Sequence, residues 1–111
     1  MKIIGIDIGT TSICAVVTDA DSGELIASVS APNRAFIASD KPFEKIQDPA
    51  VIMSTVRELI SSLGTHDAAA IGFSGQMHGI LYTDSCGKAV SPLYIWQDER
   101  AAQRYKDGKT Y

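Results

Sequence analysis

Residues Ile3 to Thr11 read Ile-Ile-Gly-Ile-Asp-Ile-Gly-Thr-Thr, an apolar run that ends on a carboxylate and turns through glycine into hydroxyls. An apolar run of this kind suits a strand covered on both faces. Asp7 stands where the strand runs out, as an acceptor-only group able to hold Mg2+ directly or through water. Gly9 lets the backbone turn and approach a phosphate closely. Thr10, Thr11 and Ser12 add hydroxyls and backbone N–H groups that can meet phosphate oxygens. The chemistry indicated is handling of a metal-bound triphosphate. A core strand followed by a polar hairpin, with Asp7 capping the turn, is the plainer alternative, and Asp-x-Gly-Thr turns also occur in aspartic proteases.

A second polar cluster, Ser74-Gly75-Gln76-Met77-His78-Gly79, stands between two apolar stretches. Gln76 and His78 can each donate and accept hydrogen bonds, and Met77 offers an apolar surface. A polyol or sugar needs that mixture. His78 taken alone reads as a structural histidine; the flanking glycines and Gln76 favour a ligand-facing role. Farther on lies Tyr94-Ile95-Trp96-Gln97-Asp98-Glu99-Arg100. Trp96, the sole tryptophan, can serve as a platform for a carbohydrate face or as a core anchor of its hairpin. Asp98 reads as the N-cap of a following helix, with Arg100 able to pair with Asp98 or Asp84.

The elements that must position these groups follow from pattern. Strands are expected at about 2–8, 12–20 and 24–32, joined by the Gly9 turn and by Asp21-Ser22-Gly23, a hairpin composition. The second strand, apolar on both faces, should be central. Residues 33–47 read as a surface loop. Asp48 and Pro49 open a helix whose apolar stripe is Ile52, Val56, Leu59, Ile60 and Leu63, and Gly64 stops it. Extended segments are expected at 68–73, 78–83 and 93–96, with a turn at 84–88 and a helix from near Asp98. The β-β-β-α-β order predicts an α/β, ribonuclease-H-like mixed sheet. Its strand at 68–74 should run parallel beside 2–8 and bring Ser74 to the same edge as Asp7.

Composition bounds the rest. The chain has 111 residues, enough for one domain or less, and at 45% hydrophobic it can bury a core. A net charge of -3 without a basic cluster argues against nucleic acid as the main partner. No membrane span or secretory pattern is evident. Cys14 and Cys86 have no framework or metal spacing and read as free thiols of a cytoplasmic protein. The chain stops soon after a helical pattern begins, at 106–111, and is expected to be part of a longer polypeptide.

Taken in order, Gly5-Ile6-Asp7-Ile8-Gly9-Thr10-Thr11-Ser12, Gly72 to Gly79 and Trp96-Gln97-Asp98-Glu99-Arg100 resemble the N-terminal part of FGGY carbohydrate kinases. The first motif is shared with the wider sugar kinase, 70-kDa heat-shock protein and actin superfamily; the other two are more specific. Met77-His78 is similar to xylulokinase-like and sedoheptulokinase-like members, whereas glycerol kinases carry Arg-Glu there. The resemblance implies that residues 1–111 are the first part of an actin-like ATPase domain. It also implies transfer of the γ-phosphoryl of ATP to a hydroxyl of a ketose such as xylulose or sedoheptulose. Asp7 would act through Mg2+, and Gly9, Thr10, Thr11 and Ser12 would hold phosphate. Gln76, Met77, His78 and Trp96 would shape the sugar site. The expected partners are ATP and a small sugar, with no nucleic acid or membrane, and a homodimer is an allowed assembly. Two departures stand out. Cys14 replaces the Lys or Arg that members often carry, and the family's catalytic aspartate lies beyond the matched stretch. A non-enzymatic actin-like or chaperone-like nucleotide module is the rival reading; it accounts for the Asp7 turn but gives Gln76, Met77, His78 and Trp96 no role.

Overall fold

Two stretches far apart in sequence, β1 (Lys2–Ile8) and the strand Ala68–Gly75, lie side by side and parallel in the computed structural model, which describes residues 1–104 and 108. The chain divides into two compact units: Met1–Arg34 with Ala50–Gln76, and Ala35–Pro49 with the chain from Met77 on.

The first unit is built on a four-stranded mixed sheet. β1 pairs antiparallel with β2 (Ser12–Asp19), and β2 with β3 (Leu25–Pro32). Register sets which side chains meet, because residues directly opposite share a face. Ile4 faces Val17, Ile6 faces Ala15 and Ile8 faces Ile13. Ile13, Ala15 and Val17 are wholly buried, and Ile4 and Ile6 nearly so. β2 is, with β1, one of the two inner strands of the sheet. The helix α1 (Pro49–Ser62) contributes Ile52, Val56 and Leu59 to the buried set. Their i, i+4, i+7 spacing is the inward stripe of an amphipathic helix. Gly64 follows in the left-handed region at φ 65°, which suits a helix stop.

The second unit holds a small antiparallel sheet of two-residue strands: β4 (Phe36–Ile37), β5 (Ile46–Gln47) and β7 (Leu93–Tyr94), with β6 the label for Ala68–Gly75 of the first unit. Its buried residues include Ala35, Ile46, Gln47 and Ile95. Three expectations are corrected here. The segment 33–47 is not simply a loop: it carries β4 and β5, which pair with one another, and β5 also pairs with β7, more than 40 positions downstream, so no local periodicity marks them. The segment 78–83 is not a continuous strand. Only Ile80↔Tyr94 and Thr83↔Ala89 bridge, because the Ser91 hydroxyl takes the Tyr82 N–H and Pro92 has no N–H to give. The expected helix from Asp98 is a single 3-10 turn, Arg100–Ala102, after which Gln103 is extended. The rest of that expected helix falls on 105–107 and 109–111, outside the described residues. The turn at 84–88 forms as expected, with Asp84 Oδ1 accepting the Cys86 and Lys88 N–H groups.

Among the described residues no helix is long and apolar enough to cross a membrane. The burial pattern sets a stability contrast. Ile13→Ala should cost about 2–5 kcal/mol, since the side chain it truncates is fully buried. Ile26→Ala, on a side chain 48% exposed, should stay within about 0.5 kcal/mol. Urea unfolding of both variants checks this, and equal losses would contradict the assignment of the core.

Candidate functional site

In the first unit, the parallel register places Asp7 directly beside Ser74 and Ile8 beside Gly75. The Ser74 hydroxyl donates to Asp7 Oδ1 at 2.7 Å. Asp7 is exposed, and its Oδ2 takes no hydrogen bond from the described residues. The turn after β1 is closed by the Gly9 N–H donating to the Ser12 carbonyl at 2.9 Å. A Cβ at Gly9 would lie 2.7 Å from that carbonyl oxygen, so no side chain fits there. Asn33, buried at the end of β3, donates its side-chain N–H to the Gly9 carbonyl at 2.9 Å and its backbone N–H to the Thr11 carbonyl at 2.8 Å. Two carbonyls of the turn are thus engaged by one residue. Asn33 escaped the sequence reading; an asparagine beside proline, Pro32-Asn33, reads as generic loop chemistry.

Thr10 and Gln76, expected to serve phosphate and sugar respectively, engage one another: the Thr10 hydroxyl donates to Gln76 Oε1 at 2.9 Å. Thr11 and Ser12 are exposed. Cys14 lies opposite Asp7 in the β1–β2 register, so a cation at that position would stand beside the carboxylate. Among the described residues no group of three or more His, Cys, Asp or Glu could hold a metal by itself. One exposed carboxylate among hydroxyls and backbone N–H groups fits Mg2+ instead. That ion keeps several waters and is commonly bound by one or two carboxylates together with substrate phosphates.

The second unit contains a cavity of about 260 Å³ lined in part by His78, Tyr82, Tyr94, Trp96, Asp98 and Arg100. Trp96 is 55% exposed, so it is not a core anchor; Met77 is exposed and lies outside this lining. His78 adopts φ 61°, the one positive φ at a non-glycine position among the described residues. That left-handed conformation costs about 1–2 kcal/mol for an L-residue and concentrates at functional positions. Gly79 packs against the Leu93 side chain, which a Cβ would meet at 3.1 Å.

One wall of the cavity is an ion cluster. Asp98, its side chain 4% exposed, accepts Arg100 Nε–H at 2.7 Å, an Arg100 terminal N–H at 3.0 Å and the Lys45 backbone N–H at 2.9 Å. Arg100 also donates to Glu44 at 3.0 Å, and its guanidinium carbon lies 4.1 Å from the Tyr94 ring centroid. Tyr94 in turn meets Tyr82 edge-on at 6.4 Å. Of the two partners expected for Arg100, Asp98 is the one it takes. Asp98 also accepts the Arg100 backbone N–H at 3.1 Å, yet the residue at the cap of the 3-10 turn is Glu99. Its carboxylate is occupied by tertiary partners rather than by a long helix.

The guanidinium of Arg100 holds Asp98 down at about 2, helped by the Lys45 and Arg100 backbone N–H groups and opposed by burial. Asp98 in turn pushes Arg100 further up. Glu44 is lowered first by the Ser39 hydroxyl and then by Arg100. Because the folded value of Asp98 lies below the ordinary aspartate value of about 3.9, its stabilisation is complete above about pH 4. It is lost as pH falls through about 2. Asp98→Asn should cost about 1.5–3 kcal/mol at pH 7. The gap in Tm between variant and parent should narrow steadily from pH 4 to pH 2, read by thermal unfolding; a gap independent of pH would contradict the ion-pair assignment.

Residues 2–109 match the FGGY family of carbohydrate kinases, N-terminal domain. The chain is 32% identical over 102 residues to a xylulose kinase of Streptomyces coelicolor, covering 90% of this chain and 20% of that protein. Among solved structures, a gluconate kinase from Lactobacillus acidophilus superposes with TM-score 0.79 at 32% identity, over 91% of this chain and 20% of that one. A ligand-bound xylulose kinase from the same organism gives 0.78 at 32% identity, over 91% and 21%. The chain spans about a fifth of the length of the curated relatives first matched. With a mixed α/β sheet of the ribonuclease-H-like kind and a family match over nearly its whole length, the chain belongs to the N-terminal domain of the FGGY carbohydrate kinases.

Proposed function

We propose that this chain is the N-terminal part of the first actin-like domain of an ATP-dependent sugar kinase. The kinase moves the γ-phosphoryl of ATP to a hydroxyl of a ketose such as xylulose or sedoheptulose. The observation that carries the reading is the Asp7–Ser74 pair at the mouth of the Gly9 turn. A carboxylate with one oxygen held and the other open is suited to a metal shared with a triphosphate. The names of the relatives support a sugar acceptor, and Met77-His78 favours a ketose or related polyol. Unbridged Cys14 and Cys86 are in keeping with a cytoplasmic setting.

Phosphoryl transfer is mainly positioning and charge neutralisation. Mg2+, when bound, neutralises charge on the phosphate oxygens. Asp7 holds that charge at the end of β1, with Ser74 fixing its carboxylate plane. Backbone N–H groups of the turn after Gly9, and the Thr11 and Ser12 hydroxyls, receive phosphate oxygens. His78 offers a hydrogen bond to a sugar hydroxyl, and Trp96 an apolar face. The residue that removes the proton of the acceptor hydroxyl lies beyond the stretch that carries these motifs. A non-enzymatic nucleotide module would use the same turn but leaves the aromatic cavity without a role.

In the full-length kinase, Asp7→Asn should lower kcat at least about 100-fold, since the charge is lost while Asn Oδ1 can still accept from Ser74. Sugar affinity should be nearly unchanged. Near-normal kcat would remove the metal role from this turn. His78→Ala should raise the KM for sugar about 2- to 12-fold, the worth of one hydrogen bond, with the KM for ATP little altered. Equal losses for both substrates in steady-state kinetics would make His78 a structural residue.

A further inference from the structure

Two side-chain hydrogen bonds tie the first motif to the second: Ser74 to Asp7, and Thr10 to Gln76. The second has a consequence for the chemistry of the turn. A threonine hydroxyl carries a single O–H. With that proton directed at Gln76 Oε1, Thr10 has only lone pairs left for other partners and cannot donate to a phosphate oxygen. Gln76 is held at a second point, its backbone N–H donating to the Ile8 carbonyl at 2.8 Å. Just before it, Gly75 passes so close that a Cβ there would lie 3.0 Å from the same carbonyl oxygen. Gln76 is thus fixed by backbone and side chain to both sides of the Gly9 turn. The chain then runs directly into Met77 and His78.

We propose that Thr10 and Gln76 are positioning residues. Their hydrogen bond makes the phosphate turn and the Met77-His78 segment respond to one another, so that occupancy of the nucleotide site and of the sugar site are linked. This rests on the sugar-kinase reading above. A phosphate group settling on the Gly9 turn stiffens Thr10, and Thr10 holds the residue from which the sugar segment departs. A sugar ordering that segment returns the effect, because coupling between two binding equilibria is reciprocal. The pair needs no contact with either substrate to do this.

The test uses the full-length protein with magnesium ADP and xylulose as probes, titrated by calorimetry singly and together. In the parent protein, saturating magnesium ADP should tighten xylulose binding by about 5-fold or more, the lower end of ordinary coupling. Thr10→Val, close in shape and lacking the hydroxyl, should reduce that linkage to about 2-fold or less, as should Gln76→Met. The double variant should match either single one, since both remove the same bond. Thr10→Ser should restore the linkage. A ligand-free readout runs in parallel: amide exchange at Gln76 and Met77 should quicken several-fold in Thr10→Val while exchange in β2 is unchanged. Undiminished linkage or unchanged exchange in Thr10→Val, failure of Thr10→Ser to rescue, or additive single effects would each overturn the pairing. If the parent binds both probes without linkage, the coupling role falls while the kinase reading stands. If it binds neither, the kinase reading falls and takes the coupling with it.

Discussion

The parallel pairing of β1 with β6 is the constraint on which the first unit depends. It joins residues 67 positions apart, Asp7 and Ser74, at one end of a sheet whose other pairings are local and antiparallel. Parallel pairing requires a long crossover, here the one that contains α1. Its register cannot slip by one residue without turning Ile4 and Ile6 out of the core and Asp7 into it. The apolar pattern of β1 and β2 therefore fixes where a carboxylate emerges. Gly75 then permits the approach that lets Gln76 bond the Ile8 carbonyl.

The second unit solves a different problem. Its strands are only two residues long, too short to specify a pocket wall by ladder alone. The Asp98–Arg100–Glu44 cluster, with Arg100 stacked on Tyr94, supplies the missing rigidity through charge-assisted hydrogen bonds. Asp98 is nearly inaccessible and carries three donors besides the Arg100 backbone, so its charge is well compensated. Against this wall, His78 in a left-handed conformation and a half-exposed Trp96 are the features that a merely structural loop would not require.

Sequence disclosed the parts whose signals are local. Ile13, Ala15 and Val17, the Ile52-Val56-Leu59 stripe and the 84–88 turn announce themselves by periodicity or turn chemistry, and the α/β mixed sheet follows from their order. It did not disclose β4 and β5, because two-residue strands have no period and β5 takes its second partner, β7, from far along the chain. It missed Asn33, whose side-chain amide acts through tertiary contact with Gly9. It did not disclose the Thr10–Gln76 hydrogen bond, because a side-chain pairing 66 positions apart leaves no trace in composition. The expected helix after Asp98 failed for a like reason: a capping carboxylate reads identically whether it serves a helix or a guanidinium.

The claim at the centre of this account is that the end of β1 is where a nucleotide-bound metal is held. Crystals of the full-length protein grown with ADP and Mn2+ in place of Mg2+ test it directly by anomalous diffraction. The account predicts a manganese peak at the Asp7 carboxylate, bound directly or through one water, with the ADP phosphates against the Gly9 to Ser12 turn. A manganese and nucleotide site with no contact to Asp7, direct or water-mediated, would contradict it.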